Sequence, residues 1–279
     1  MTRTHPQITH TLTGDIRFHQ AFHSRFLEHD RDVIVYLPPG HRKTKTKRYP
    51  VLYLQDGQNL FDGATSFVPG RDWQVDETAE RLIKAGEIES LIIVGIYNTG
   101  LDRVDEYTPT PDERLKKGGH ADLYGRMLIE ELKPFIDSSY RTLVDRENTG
   151  LGGSSLGGLV SLYLGLKHSY VFSKLAIMSP SAWWDHRMII HEVESLAVKP
   201  ELRIWLDIGT AEGEAVNALP PLRDAFLDKG WKLDEDLKYF EAPNAVHDEG
   251  AWAERVDPVL RFLFPKTKPT KRRWLGRFR

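Results

Sequence analysis

Gly153-Ser154-Ser155-Leu156-Gly157 places a serine midway between two glycines, the spacing G-x-S-x-G. A serine hydroxyl can act as a nucleophile when it is held at the tip of a tight strand-to-helix turn. Such a turn needs unusual backbone angles and neighbours without bulk, and glycine supplies both. The surrounding glycines also invite a phosphate-binding reading, which the letters exclude. A P-loop counted from Gly152 reaches Gly157 but then requires lysine where Gly158 stands. A G-x-G-x-x-G fingerprint from Gly150 and Gly152 would need glycine at Ser155. What remains is a nucleophile turn or an ordinary glycine-rich loop, and the flanking elements distinguish them. Leu159, Leu162, Tyr163 and Leu166 recur at helical spacing after the serine. Before it the strand signal is short, from Asn148 to Gly152.

A neutral serine needs a base, and the base needs a carboxylate to orient it. On a parallel α/β sheet these partners follow the serine in the order acid, then histidine. Four histidines come after Ser155: His168, His186, His191 and His247. His168 ends the serine's own helix, and His186 and His191 precede the next strand. His247 alone follows a further strand, in the loop "EAPNAVHDEGAW", and is the expected base. The acid belongs at the end of the strand before it, in "WLDIGTAEGE". Glu212 lies past the strand, at the edge where chemistry is expected; Asp207 lies within it and is the alternative acid. Asp248 adjoins the histidine and is badly placed to reach its ring.

An acyl-transfer intermediate also needs two backbone N–H donors. Leu156, directly after the serine, is one candidate. Gln58, in the "QDGQNLFDG" loop after an earlier strand, is the other, with Gly57 expected to let the backbone approach substrate. Trp183 and Trp184 follow a strand and could stack on a phenolic or sugar ring; packing in the core is the alternative for both. Asn98, Arg103 and Glu106, after "LIIVGI", could line the same mouth.

The elements that must position these residues read as strands alternating with helices. Strands are expected at Val33–Leu37, Val51–Gln55, Leu91–Ile96, Lys174–Met178, Arg203–Ile208 and Leu237–Glu241. Helices are expected at Val75–Ala85, Ala121–Ser138, Leu156–His168, Arg187–Leu196, Pro221–Lys229 and Trp252–Phe264. Short apolar runs such as "LIIVGI" suit strands covered on both faces. No helix precedes Val33, so the sheet should open with antiparallel strands. The expectation is an α/β sandwich: a mostly parallel sheet of about eight strands with helices on both faces.

Composition narrows the classes of function. The 279 residues are 40% hydrophobic with no interior linker, which points to one domain over 1–265. A formal charge of -2 gives no general bias toward nucleic acid. No apolar run is long enough to span a membrane. The absence of cysteine removes thiolate catalysis, disulfides and cysteine-ligated zinc, and no metal or cofactor is expected. The start of the chain lacks the apolar stretch of a signal peptide, so a cytoplasmic location is expected. "RKTKTKR" (Arg42 to Arg48) should form a solvated hairpin loop, and the basic tail 266–279 a flexible end.

Several segments together resemble one family. "YLPPGHRKTKTKRYPVLYLQDGQNLF", "LIIVGIYNTGLDRVDEYTP", "GLGGSSLGGLVSLY", "MSPSAWW", "DIGTAEG" and "NAVHDEGAW" are similar to the putative-esterase family of α/β-hydrolases. That family includes feruloyl and acetylxylan esterases, siderophore esterases, S-formylglutathione hydrolases and mycolyltransferases. The resemblance implies a cofactor-free serine ester hydrolase with Ser155 as nucleophile, His247 as base, Glu212 as acid, and Gln58 and Leu156 N–H groups as oxyanion hole. It implies an acyl-enzyme and small-molecule or carbohydrate-linked esters as substrates, feruloyl or acetyl esters first. A siderophore trilactone esterase, an acyltransferase with the same triad, and a binding module with a dead site are the alternatives. Glutamate stands where many members carry aspartate, and the motifs of the S-formylglutathione hydrolases are missing.

Overall fold

The computed structural model describes residues 9–266. The tail expected at 266–279 lies, from 267 onward, outside the described residues. Ten strands occur in chain order: β1 (Asp15–Phe22), β2 (Arg31–Leu37), β3 (Val51–Gln55), β4 (Ile92–Ile96), β5 (Pro111–Asp112), β6 (Lys117–Gly118), β7 (Thr149–Ser155), β8 (Lys174–Pro180), β9 (Arg203–Gly209) and β10 (Leu237–Ala242). Eight of them form one sheet in the order β1-β2-β4-β3-β7-β8-β9-β10, while β5 and β6 make a small separate hairpin. β1 and β2 run antiparallel, as do β2 and β4, and the other neighbours are parallel. The sheet therefore opens antiparallel, as the missing helix before Val33 requires.

Alternation along the strands divides the core in two. Val33, Val35, Val51 and Tyr53 face one cluster, whereas Ile34, Tyr36, Leu52 and Leu54 face the other. Two helices, α1 (Val75–Ala85) and α8 (Glu249–Leu263), cover the second face with Ala79, Leu82, Val256 and Leu260. The first face is covered by α5 (Leu156–Lys167) and α7 (Leu219–Asp228), among others. A sheet buried on both sides explains why strands such as β4 are unbroken apolar runs.

Three expectations change here. The basic stretch Arg42 to Arg48 is exposed but is no hairpin, because β4 lies between β2 and β3 in the sheet. The helix expected over Ala121–Ser138 is divided into α3 (Ala121–Arg126), a π-helical turn (Met127–Leu132) and α4 (Lys133–Ser139). Pro134 brings no backbone N–H to the ladder, and the wider turn before it takes up the break. The short strand signal at Asn148 to Gly152 is a buried seven-residue strand, β7. Its glycines are there for contact: a Cβ on Gly152 would lie 2.5 Å from the Ala176 Cβ on β8.

Candidate active site

Ser155 ends β7 and precedes the first residue of α5. Its backbone sits at φ 56°, ψ -126°, a region costly for any residue with a side chain. The turn closes only because its flanks lack side chains. A Cβ on Gly153 would stand 2.8 Å from the Gly157 carbonyl carbon, and one on Gly157 would stand 2.9 Å from Gln55 Cβ. The Ser155 hydroxyl faces Ser181 Oγ at 3.4 Å, and the Ser155 carbonyl accepts the Ser181 N–H.

Glu212 lies just beyond β9, and His247 in the loop between β10 and α8. Backbone hydrogen bonds stitch these two loops together: Thr210 N–H to the Ala242 carbonyl and Ala211 N–H to the Ala245 carbonyl. Gly209 makes the close fit feasible, since a Cβ there would come within 2.2 Å of the Ala245 oxygen. The result is a 2.7 Å hydrogen bond from His247 Nδ1 to Glu212 Oε2. The other oxygen, Oε1, accepts from Ser179 Oγ at 2.6 Å and from the Gly209 N–H at 2.7 Å. Burial works to raise the Glu212 pKa, but the His247, Ser179 and Gly209 donors together hold it below the ordinary glutamate value. His247 remains partly open to solvent and stands edge-on to the Trp252 indole, 4.9 Å between centroids.

Asp207 is fully buried and serves a different set of partners: Arg255 Nη1 at 2.7 Å, Trp205 Nε1 at 2.6 Å and the Ser179 N–H at 3.2 Å. The structure does not bring it to His247. Burial pushes its pKa up to about 6, with Arg255 pulling the other way. Asp248 caps α8 by accepting the Ala251 N–H.

Across the pocket, Gly57–Asn59 form a single 3₁₀ turn after β3, entered through left-handed Asp56 at φ 57°. The N–H groups of Asn59 and Leu60 are taken by Asp56 and Gly57 carbonyls. Gln58 sits in the first turn, where no preceding turn supplies an acceptor for its N–H. Leu156 holds the equivalent place at the start of α5. Packing alone requires glycine at 57: a Cβ would lie 2.7 Å from the Gly95 carbonyl carbon on β4.

Asn98 and Arg103, expected as substrate contacts, line the pocket wall but have other work. Arg103 grips Asp56 through Nε at 2.7 Å and Nη2 at 2.8 Å, and Asn98 Nδ2 donates to the same carboxylate at 2.7 Å. Glu106 pairs with buried Arg31 at 2.8 Å. The two tryptophans separate. Trp184 is 2% exposed and donates its Nε1 proton to the Thr110 carbonyl, so it belongs to the core. Trp183 is 45% exposed and lines neighbouring clefts with Arg187, not the pocket of Ser155.

That pocket, about 370 Å³, is lined by Ser155, His247, Gln58, Asn98 and Arg103. It also holds Trp252, Glu249, Asn59 and Phe67, which sequence reasoning missed. Trp252 lies inside "NAVHDEGAW", and Ser179 and Ser181 inside "MSPSAWW", ahead of the two indoles. Ser179 is the hub: it donates to Glu212 and accepts from Trp252 Nε1 and Arg255 Nη2, each at 3.1 Å. Among the described residues, no cluster of three or more His, Cys, Asp or Glu could hold a metal ion, and no helix is long and apolar enough to cross a membrane.

An eight-stranded, mostly parallel sheet with a strained serine at the end of β7 is the architecture of an α/β-hydrolase. The chain belongs to the family described as "Putative esterase", which matches residues 24–263, and it is a carboxylic ester hydrolase. It is 31% identical over 239 residues to an endo-1,4-beta-xylanase/feruloyl esterase of Xylanibacter ruminicola, a match spanning 82% of this chain and 29% of that protein. It is 31% identical over 163 residues to the ferri-bacillibactin esterase BesA of Bacillus subtilis, 52% of each chain. Among solved structures, the BES protein from Bacillus cereus superimposes with a TM-score of 0.70 at 24% identity, covering 95% of this chain and 99% of that one.

Proposed function

We propose that the chain hydrolyses carboxylic esters through an acyl-enzyme on Ser155, with His247 as base and Glu212 as its orienting acid. The observation that carries this reading is the 2.7 Å His247–Glu212 hydrogen bond in the same pocket as the strained serine. Glu212 fixes the Nδ1–H tautomer, which leaves Nε2 free to accept a proton. Rotation of the Ser155 hydroxyl from Ser181 toward His247 lets Oγ attack the ester carbonyl as Nε2 takes its proton. The carbonyl oxygen becomes an oxyanion received by the Gln58 and Leu156 N–H groups. The imidazolium then protonates the departing alcohol, leaving an acyl-serine. Water repeats the sequence, giving its proton to His247 and releasing the acid and free Ser155.

Feruloyl or acetyl esters of carbohydrates are the proposed substrates. The relative that supports the feruloyl ester aligns over 82% of this chain, against 52% for the siderophore esterase BesA. The second reading, a siderophore esterase, rests on that shorter match. Ser155→Ala should abolish both turnover of methyl ferulate and labelling by a fluorophosphonate, while Ser154→Ala keeps them. Labelling that persists in the Ser155→Ala protein rejects the nucleophile.

A further inference from the structure

One carboxyl in the pocket has no part in the steps above. Glu249 begins α8, is 5% exposed, and lines the pocket with Ser155 and His247. Its one side-chain hydrogen bond among the described residues is long, 3.4 Å from Asn59 Nδ2 to Oε1. The charges that face it are already committed. From the oxyanion side, Asp56 is held by Arg103. From its own loop, Asp248 pairs with Arg71, and His247 donates to Glu212. Farther along α8, Arg255 is bound to Asp207. No ion pair among the described residues includes Glu249. Burial raises its pKa, as do the neighbouring charges of Asp248 and Asp56, while its own backbone N–H and His247 pull the other way. The pocket lining thus sets three carboxylates, Asp56, Asp248 and Glu249, against one arginine, Arg103.

A buried carboxylate without a cation gains from any hydrogen-bond donor brought against it, and it repels a second anion strongly because little water screens the pair. We propose that Glu249 sets the charge specificity of this pocket: it accepts a hydrogen bond from a hydroxyl- or ammonium-bearing arm of the ester and rejects an arm that carries a carboxylate. The inference rests on Ser155 being the nucleophile of the same pocket. It separates the substrate classes on chemical grounds, since a feruloyl sugar ester is neutral and rich in hydroxyls.

The test is a specificity ratio, which changes in folding or overall rate do not move. Two pairs of esters probe the two arms: mono-4-nitrophenyl succinate against 4-nitrophenyl butyrate, and 4-acetoxybenzoate against its methyl ester. Both members of a pair use the same fraction of enzyme with neutral His247, so the base cancels. Glu249→Gln should raise the anionic-to-neutral ratio of kcat/KM by roughly tenfold or more in at least one pair, the size expected for a like charge removed from a partly screened site. Ratios within about twofold of wild type in both pairs, with neutral esters still hydrolysed, overturn the proposal. If Glu249→Gln fails to fold, Glu249→Ser takes its place with the same two outcomes. Failure of the underlying reading looks different: Ser155→Ala would then hydrolyse the neutral esters as wild type does.

Discussion

Two arginine–aspartate pairs brace opposite walls of the pocket, and their surroundings differ. Arg255 and Asp207 lie beneath the His247 side, 3% and 0% exposed, with a 2.7 Å contact. Arg103 and Asp56 stand behind the Gln58 turn, also at 2.7 Å, but Arg103 keeps 24% exposure and faces the pocket. At the first pair, burial outweighs the arginine and leaves Asp207 with a pKa pushed up to about 6. That pair is costly, and its return is geometric: Arg255 and Asp207 together hold Ser179, which holds Glu212. The second pair clamps one left-handed residue, Asp56, and through it the turn that carries Gln58. Equal contact distances therefore serve different ends, a platform on one side and a clamp on the other.

Substitutions should separate the platform from the clamp, beginning with the largest effect. Glu212→Gln keeps an oxygen for Ser179 and Gly209 but turns an amide toward His247 Nδ1, reversing the tautomer. It should lower kcat on 4-nitrophenyl acetate by on the order of a thousandfold or more, with little change in melting temperature. Retained activity in that protein would remove Glu212 from the mechanism.

Arg255→Met strands the Asp207 carboxylate in the core and should destabilise the fold by about 3–5 kcal/mol in urea denaturation. This loss carries a pH signature. The folded-state pKa of Asp207 is raised above its ordinary 3.8 to about 6 even with Arg255 present, so over that window the native state binds the extra proton. Stability then falls as pH rises through the window. Without Arg255 the window extends upward, and the deficit of Arg255→Met against wild type should be smaller at pH ~5 than at pH ~8. An equal deficit at both would place the cost elsewhere.

Arg103→Met should act mainly on turnover. Freed of its clamp, the Asp56 turn should loosen and the proposed oxyanion donor at Gln58 lose its aim, for a drop in kcat of about ten- to a hundredfold. Its melting temperature should move less than that of Arg255→Met; the reverse order would erase the distinction between the two pairs.

The parts of the site that the sequence reveals are those where chemistry dictates residue type and chain order. Chain order alone singles out Ser155, Glu212 and His247, since a nucleophile, an acid and a base would have to stand at the ends of successive strands, and the fold places the last two in hydrogen-bond contact beside the pocket of Ser155. Asn98 and Arg103 line the pocket, but their hold on Asp56 is not legible in the sequence, because a polar residue near a mouth looks the same whether it meets substrate or a neighbouring loop. Asp56 stands more than forty residues away from both. Trp183 and Trp184 are consecutive, yet one is exposed and the other buried, and composition gives no sign of which. β7 looked weak as a strand because propensity counts side chains, whereas its glycines are required by the neighbours packed against them. Glu249 lies inside "NAVHDEGAW", but only burial beside Asp56 and Asn59 marks it as unusual.

The left-handed backbone of Ser155 also has a consequence for the lineage of such a protein. Residues held in these angles cost on the order of 1–3 kcal/mol, and glycine is relieved of most of it. Ser155→Gly should therefore give an inactive chain that melts at a higher temperature than the active one, readable in a single calorimetric scan. If Ser155 is the nucleophile proposed above, selection for stability alone would drift toward glycine, and turnover of the ester would be what keeps the serine in place.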